Sequence, residues 1–176
     1  MVLLVYRIKA NLPVIIIGET GCGKTSLIIK LSQLLNNGEK FVEIININRA
    51  ITDEEIISSM REMNIKAKSE KYKEKELWVF FDEINTCLSL SRLKEIFNNR
   101  TFDGEKLEDN IKLIGACNPY RKRKELIEKC GLTLEDDEDD KLIYKVEQLP
   151  QSLLYNIFSF GSLRDDDENK YIKSII

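Results

Sequence analysis

Residues 13–25 read PVIIIGETGCGKT, and the fold turns on how this stretch is read. Pro13 to Ile17 is a short, continuous apolar run rich in β-branched residues, the pattern of a strand buried on both faces of a parallel sheet. A glycine-rich turn breaks it. From Lys24 to Leu35, the apolar residues Leu27, Ile28, Leu31, Leu34 and Leu35 recur at helical spacing, and Asn36-Asn37-Gly38 supplies the stop. Strand, glycine turn and helix form the context in which Gly18-x-x-x-x-Gly23-Lys24-Thr25 reads as a phosphate-binding loop.

Each residue type in that loop has a physical task. Glycines allow backbone angles and a close approach that side chains forbid. Successive amides from Gly21 to Thr25 can then converge on phosphates at a helix N-terminus, where the helix dipole favours an anion. Lys24 adds a point charge for the β- and γ-phosphates, and the Thr25 hydroxyl is a hard oxygen ligand suited to Mg²⁺. The cradle therefore comprises Gly18, Glu19, Thr20, Gly21, Cys22, Gly23, Lys24 and Thr25.

Composition narrows the rest. With 176 residues, 43% hydrophobic and 32% charged, the chain has the length and balance of one soluble domain with a substantial core. A formal net charge of -3 gives no global attraction to nucleic acid or anionic lipid. The one basic cluster, Arg121 to Lys124, lacks interleaved aromatics and reads as a solvated helix start. Cys22, Cys87, Cys117 and Cys130 stand far apart, and the chain contains no histidine, which argues against zinc, a disulfide framework and a Cys-His or Ser-His nucleophile. No run approaches the ~20 apolar residues of a membrane span, and MVLLVYRIKA is too short and charged for a secretory signal. A cytoplasmic address is expected.

Beyond the loop, Phe41 to Ile47 reads as a second strand, and Thr52-x-x-Glu55 is a capping box opening a helix that runs to about Met63. Lys66 to Glu76 is nearly all charged and reads as an exposed connection. Leu77 to Phe81 gives a third strand, Leu90 to Phe97 a short helix, Thr101 to Asn110 a polar loop, and Ile111 to Cys117 a fourth strand. Glu135 to Asp140 is a like-charge run expected in an exposed loop. Lys141 to Gln148 alternates as a fifth strand would, and Leu149-Pro150 starts a helix extending to about Phe160. Strands alternating with helices predict an α/β fold with a five-stranded, mostly parallel sheet between helices.

Two more strand ends carry chemistry. The third strand delivers Asp82 and Glu83 to the carboxyl edge of the sheet, where the phosphate loop also lies. Asp82 can hold Mg²⁺ through water, and Glu83 can orient a water for in-line attack on a γ-phosphate. Asn118 ends the fourth strand; if that strand lies between the first and third, its amide can bond the γ-phosphate or the attacking water. Taken alone, Asn118-Pro119 reads as a turn.

LPVIIIGETGCGKTSLI, VFFDEINT, IGACNPYR and LPQSLLYNIFSFGSL together resemble the AAA+ modules of the mysterin family, giant E3 ubiquitin ligases with a dynein-like ring. The resemblance covers nearly the whole chain and implies a P-loop NTPase fold, ATP and Mg²⁺ as ligands, and neighbouring AAA+ modules as partners. It puts Gly18, Gly21, Gly23, Lys24 and Thr25 in Walker A, Asp82 and Glu83 in Walker B, and Asn118 at sensor 1. Residues 1–176 are then expected to be a large AAA+ subdomain without its helical lid, part of a much longer chain, with ubiquitin transfer in a distant region. Arg121, Arg123 and, more weakly, Arg100 are candidates for an arginine finger offered to a neighbour. A non-hydrolysing nucleotide switch, a P-loop small-molecule kinase and an inactive fragment remain as alternatives.

Overall fold

The apolar run after Pro13 forms β1 (Val14–Gly18), and Gly23 caps α2 (Lys24–Leu35) directly after the glycine turn. In the computed structural model, residues 2–36, 38–72, 75–121 and 145–161 are described. The further elements are α1 (Val2–Lys9), β2 (Val42–Asn46), α3 (Asp53–Lys68), β3 (Leu77–Asp82) and α4 (Leu90–Lys94), which continues as a π turn over Glu95–Asn99. A hairpin of β4 (Thr101–Phe102) and β5 (Glu105–Lys106) precedes β6 (Ile111–Cys117), and α5 (Gln151–Leu154) leads into β7 (Ile157–Gly161).

Among the described residues, five strands form one sheet in the order β2-β3-β6-β1-β7, and every pairing is parallel. The fourth strand of the sequence reading therefore does lie between the first and the third. Side-chain alternation splits the core in two. Val14, Ile16, Trp78, Phe80, Ile114 and Ala116 pack toward α1 and α2 with Leu4, Ile8, Ile28 and Leu31. Ile15, Leu77, Val79, Phe81, Leu113 and Cys117 face the other way, against Ile56, Met60 and Met63 of α3 and Leu93, Ile96 and Phe97. Trp78, Phe80 and Phe81 are wholly buried, as continuous apolar central strands require.

The expected capping box is present: Thr52 Oγ1 accepts from the Glu55 amide at 3.3 Å, and Glu55 Oε2 accepts from the Thr52 amide at 2.8 Å. The helix it opens runs five residues past Met63, because Ala67 is buried on the same face as Met60 and Met63, drawing part of the charged connection into the fold. The expected polar loop at Thr101 to Asn110 folds into the β4–β5 hairpin, held by buried Phe102 and Leu107. Helix α1 carried no assignment in the sequence reading; Leu4 and Ile8 seat it on the sheet.

The fifth strand is a correction. Residues 145–150 are described without regular structure, residues 141–144 lie outside the described residues, and the strand is β7, inside the stretch expected to be helical. Helix α5 stops after four residues. The edge of β1 supplies the reason. The Ile15 amide donates to Asn156 O at 2.8 Å, Ile15 to Ile17 pair with Ile157 to Ser159, and Arg7 Nη2 donates to Asn156 Oδ1 at 2.9 Å. Ladder bonds along a central strand outweigh the local preference of SLLYNIFSF for a longer helix. Glu135 to Asp140 lies outside the described residues.

Gly115 on β6 marks where the sheet meets the α4 layer. A Cβ there would sit 3.2 Å from both Ile84 Cδ1 and Phe97 Cζ. Gly115→Val is expected to overpack this seam and destabilise the chain by about 1–3 kcal/mol. Urea unfolding of the two proteins, monitored by Trp78 fluorescence, checks it; an unchanged midpoint contradicts the packing.

Candidate functional site

Three neighbouring parallel strands end together, and each delivers a polar group. Strand β1 ends at Gly18 and opens the glycine turn, β3 ends at Asp82, and β6 ends just before Asn118. They meet around a cavity of about 270 Å³ lined by Thr20, Gly21, Gly23, Lys24, Thr25, Ser26, Asp82, Glu83 and Asn118. Gly21 and Gly23 have φ of 80° and 88°, left-handed values that a side chain would strain. Of the eight expected cradle residues, five line the cavity, and Gly18, Glu19 and Cys22 do not. The Cys22 amide donates to Glu19 O at 3.3 Å and closes the turn. Ser26 joins the lining from the first turn of α2, a position the sequence motif does not mark.

Lys24 is 8% exposed, so its ammonium sits in a nearly dry place and must find acceptors. It donates to Gly18 O at 2.8 Å, Glu19 O at 3.0 Å and Asn118 Oδ1 at 3.3 Å. Three acceptors match its three N–H groups. Thr20 Oγ1 also donates to Asn118 Oδ1, at 3.4 Å. On its other side Asn118 Nδ2 donates to Glu83 Oε1 at 3.3 Å. One carboxamide thus joins the cation of the loop to the acid of β3.

Thr25 Oγ1 donates to Asp82 Oδ2 at 3.1 Å, placing two hard oxygens side by side at the start of α2. Among the described residues no group of three or more Cys, Asp or Glu side chains could chelate a metal by itself. A hydroxyl beside a single carboxylate is the kind of donor pair that can hold Mg²⁺ together with substrate phosphates and waters. First-turn amides of a helix have no intrahelical partner, and Lys24, Thr25 and Ser26 of that turn line the cavity.

Glu83 stands in strained backbone, with φ of 56°. The turn is over-determined: the Glu83 amide donates to Asp82 Oδ1 at 3.0 Å, Glu83 O accepts from the Thr86 amide at 2.9 Å, and the Ile84 amide reaches across to Ala116 O at 2.9 Å. This sharp corner turns an exposed carboxylate back toward Asn118. Cys117, the residue before Asn118, is buried, and burial pushes its thiol up to about 12 even though the nearby Lys24 charge opposes the shift.

The arginine candidates separate. Arg121 pairs with the Glu19 carboxylate at the rim of the phosphate loop. Arg100 turns inward instead: its Nη2 donates to Glu108 O at 3.0 Å and Ile111 O at 2.9 Å, tying the β4–β5 hairpin to β6, and burial lowers its pKa from the usual arginine value. Residues 122–124, including Arg123, lie outside the described residues. No described helix is long and apolar enough to cross a membrane.

Comparisons with known proteins converge on one group. The family described as the RNF213 AAA domain matches residues 1–121. The chain is similar to E3 ubiquitin-protein ligase RNF213 of Mus musculus, 37% identical over 190 aligned positions that cover 97% of this chain. It is 35% identical, over the same share, to E3 ubiquitin-protein ligase rnf213-beta of Danio rerio and to E3 ubiquitin-protein ligase RNF213 of Homo sapiens. It spans about 4% of the length of each of these relatives.

Two expectations follow from the geometry. Glu83→Asn, which tolerates a positive φ better, should raise unfolding stability by about 1 kcal/mol, the sign of a residue held for its chemistry rather than its fold; a loss of stability in urea would count against strain at this corner. At pH 8 the Cys117 thiol should be thiolate in only about one molecule in 10⁴ and resist iodoacetamide. Labelling becomes appreciable only as the pH climbs toward 12, which peptide mapping by mass spectrometry reads directly.

Proposed function

The chain belongs to the RNF213 AAA domain family, that of the mysterin resemblance, and from this membership we propose that it binds and hydrolyses ATP as the large subdomain of one AAA+ module. Residues 1–176 then act within a longer cytoplasmic polypeptide, where nucleotide drives or gates rearrangement of a ring of neighbouring modules. The observation that carries the reading is the Asn118 carboxamide, which bonds Lys24 on one side and Glu83 on the other. A phosphate group entering the cavity meets a cation, a polar sensor and a water-orienting acid within one connected set of contacts.

The roles follow from chemistry. Lys24 exchanges its carbonyl and carboxamide acceptors for phosphate oxygens, and the loop amides hold the remaining phosphate charge. Thr25 and Asp82 would hold Mg²⁺, which would supply charge neutralisation to the phosphates. Glu83 orients the attacking water, and Asn118 fixes the relative position of that water and the γ-phosphate. The Glu83–Asn118 contact supports water activation over transfer to a substrate hydroxyl, and a screen of phosphoryl acceptors tests the small-molecule kinase alternative. The relatives are named as ubiquitin ligases; in a parent protein of that kind, ubiquitin transfer belongs to other regions, and this module contributes nucleotide-dependent movement.

Hydrolysis at full rate needs a charge-stabilising arginine from a neighbouring module, worth about 10³–10⁵ in rate. The isolated chain is therefore expected to turn ATP over slowly; ordinary enzymatic rates from the purified monomer would refute that dependence. Glu83→Gln should abolish this turnover while leaving Mg²⁺-dependent ATP binding intact, whereas Lys24→Ala should lose binding as well. Filter binding and phosphate release measured on the same preparations decide the matter, and unchanged turnover in Glu83→Gln would sink the assignment of the water-orienting acid.

A further inference from the structure

Asn118 can act only if its backbone is held still, and one side chain outside the expected site does the holding. Asn85 lies three residues past Asp82, is 2% exposed, and directs its side-chain hydrogen bonds to the Asn118 backbone. Its Nδ2 donates to Asn118 O at 2.8 Å, and its Oδ1 accepts from the Asn118 amide at 3.2 Å. One carboxamide thereby satisfies both backbone groups of a residue that has just left the sheet, as a neighbouring strand would have done. Strand β3 has by then turned away, its ladder with β6 ending at Phe81 and Gly115.

Asn85 is itself fixed from outside. Its backbone carbonyl accepts from the Glu147 amide at 2.7 Å, in the segment that leads through α5 to β7. The preceding residue, Ile84, is tied to Ala116 O. Residue 85 is therefore bonded on two sides, its carboxamide to the Asn118 backbone and its own carbonyl to Glu147. An aspartate or leucine would be close in size, but neither offers one donor and one acceptor at neutral pH.

From this geometry we propose that Asn85 is a positioning residue for hydrolysis: it acts through the Asn118 backbone to set the Asn118 side chain between Lys24 and Glu83. The inference rests on the ATPase reading above and adds a residue that the phosphate-loop and acid motifs do not include. Partners one step removed from a reacting group commonly change function by 10–100-fold, as outer-shell partners of metal ligands do.

The test uses this chain in single-turnover hydrolysis, protein in excess over radiolabelled ATP, so that slow chemistry is measurable. Asn85→Ala should lower the rate about 10–100-fold with the Kd for Mg·ATP changed by less than about 3-fold. In an Asn118→Ala background the same change should cost less than about 2-fold, because the side chain it positions is gone. Equal costs in both backgrounds, or an unaffected rate, overturn the proposal. Asn85→Asp serves if Asn85→Ala fails to fold. A protonated carboxyl reproduces the donor and acceptor of the carboxamide, so its rate relative to the parent should rise as pH falls from 8 to 5, and a flat ratio overturns the proposal.

A separate readout distinguishes this inference from the functional reading. The Asn118 side-chain amide resonances in ¹⁵N-labelled protein should shift in Asn85→Ala without any nucleotide present. Unchanged resonances remove the positioning role whatever the protein hydrolyses; shifted resonances in a parent that binds no ATP remove the ATPase reading and leave the contact standing.

Discussion

Strand β6 lies between β1 and β3, and that insertion is the constraint on which the site depends. A parallel sheet sends all its carboxyl ends to one edge, but only neighbouring strands bring their end groups within hydrogen-bond reach. With β6 in the middle, Lys24 at the end of the β1 turn and Glu83 at the end of β3 both reach Asn118. Swapping β6 with β2 would leave the same residues at the same edge and break the chain of contacts. The apolar run Ile111 to Cys117, buried at every position, is what keeps β6 central.

The reading of the sequence went furthest where chemistry and periodicity agreed. The run before Gly18, the helix from Lys24, and the strands that end at Asp82 and Asn118 were all legible, because each couples a continuous apolar segment to a break that only a few residue types can make. The site was legible for the same reason: eight of the nine residues lining the cavity lie in the motifs at those breaks, Ser26 being the exception. What stayed hidden depends on contacts distant in sequence. Asn85 looks like any polar residue after a strand; its meaning comes from Asn118, 33 positions away. The β4–β5 hairpin is polar by composition and is held by two buried apolar residues and by Arg100, which a sequence cannot distinguish from a surface arginine.

The buried charge of Lys24 explains how the loop can be ordered before any phosphate arrives. An ammonium taken out of water costs several kcal/mol unless its donors are met. Carbonyls of Gly18 and Glu19 meet two of them, and these same carbonyls belong to the turn that the lysine has to organise. The loop is thereby folded around its own cation. Under the proposed function, an incoming phosphate exchanges acceptors at Lys24 without a further cost for ordering the loop, which is the physical content of preorganisation.

Gly18 shows how β7, the strand formed where a helix was expected, reaches the glycine turn. Its neighbours Gly21 and Gly23 are glycines for their dihedral angles, but Gly18 does not share their positive φ. A Cβ on Gly18 would lie 2.9 Å from Cys22 Sγ, 3.2 Å from Phe160 Cβ and 3.3 Å from Gly161 O. Two of those three contacts come from β7, at the point where its register against β1 shifts. The first glycine of the motif is therefore required by the strand beside it, and β7 packs against the glycine turn. Residues 157–161 thus pack against the glycine turn without lining the cavity.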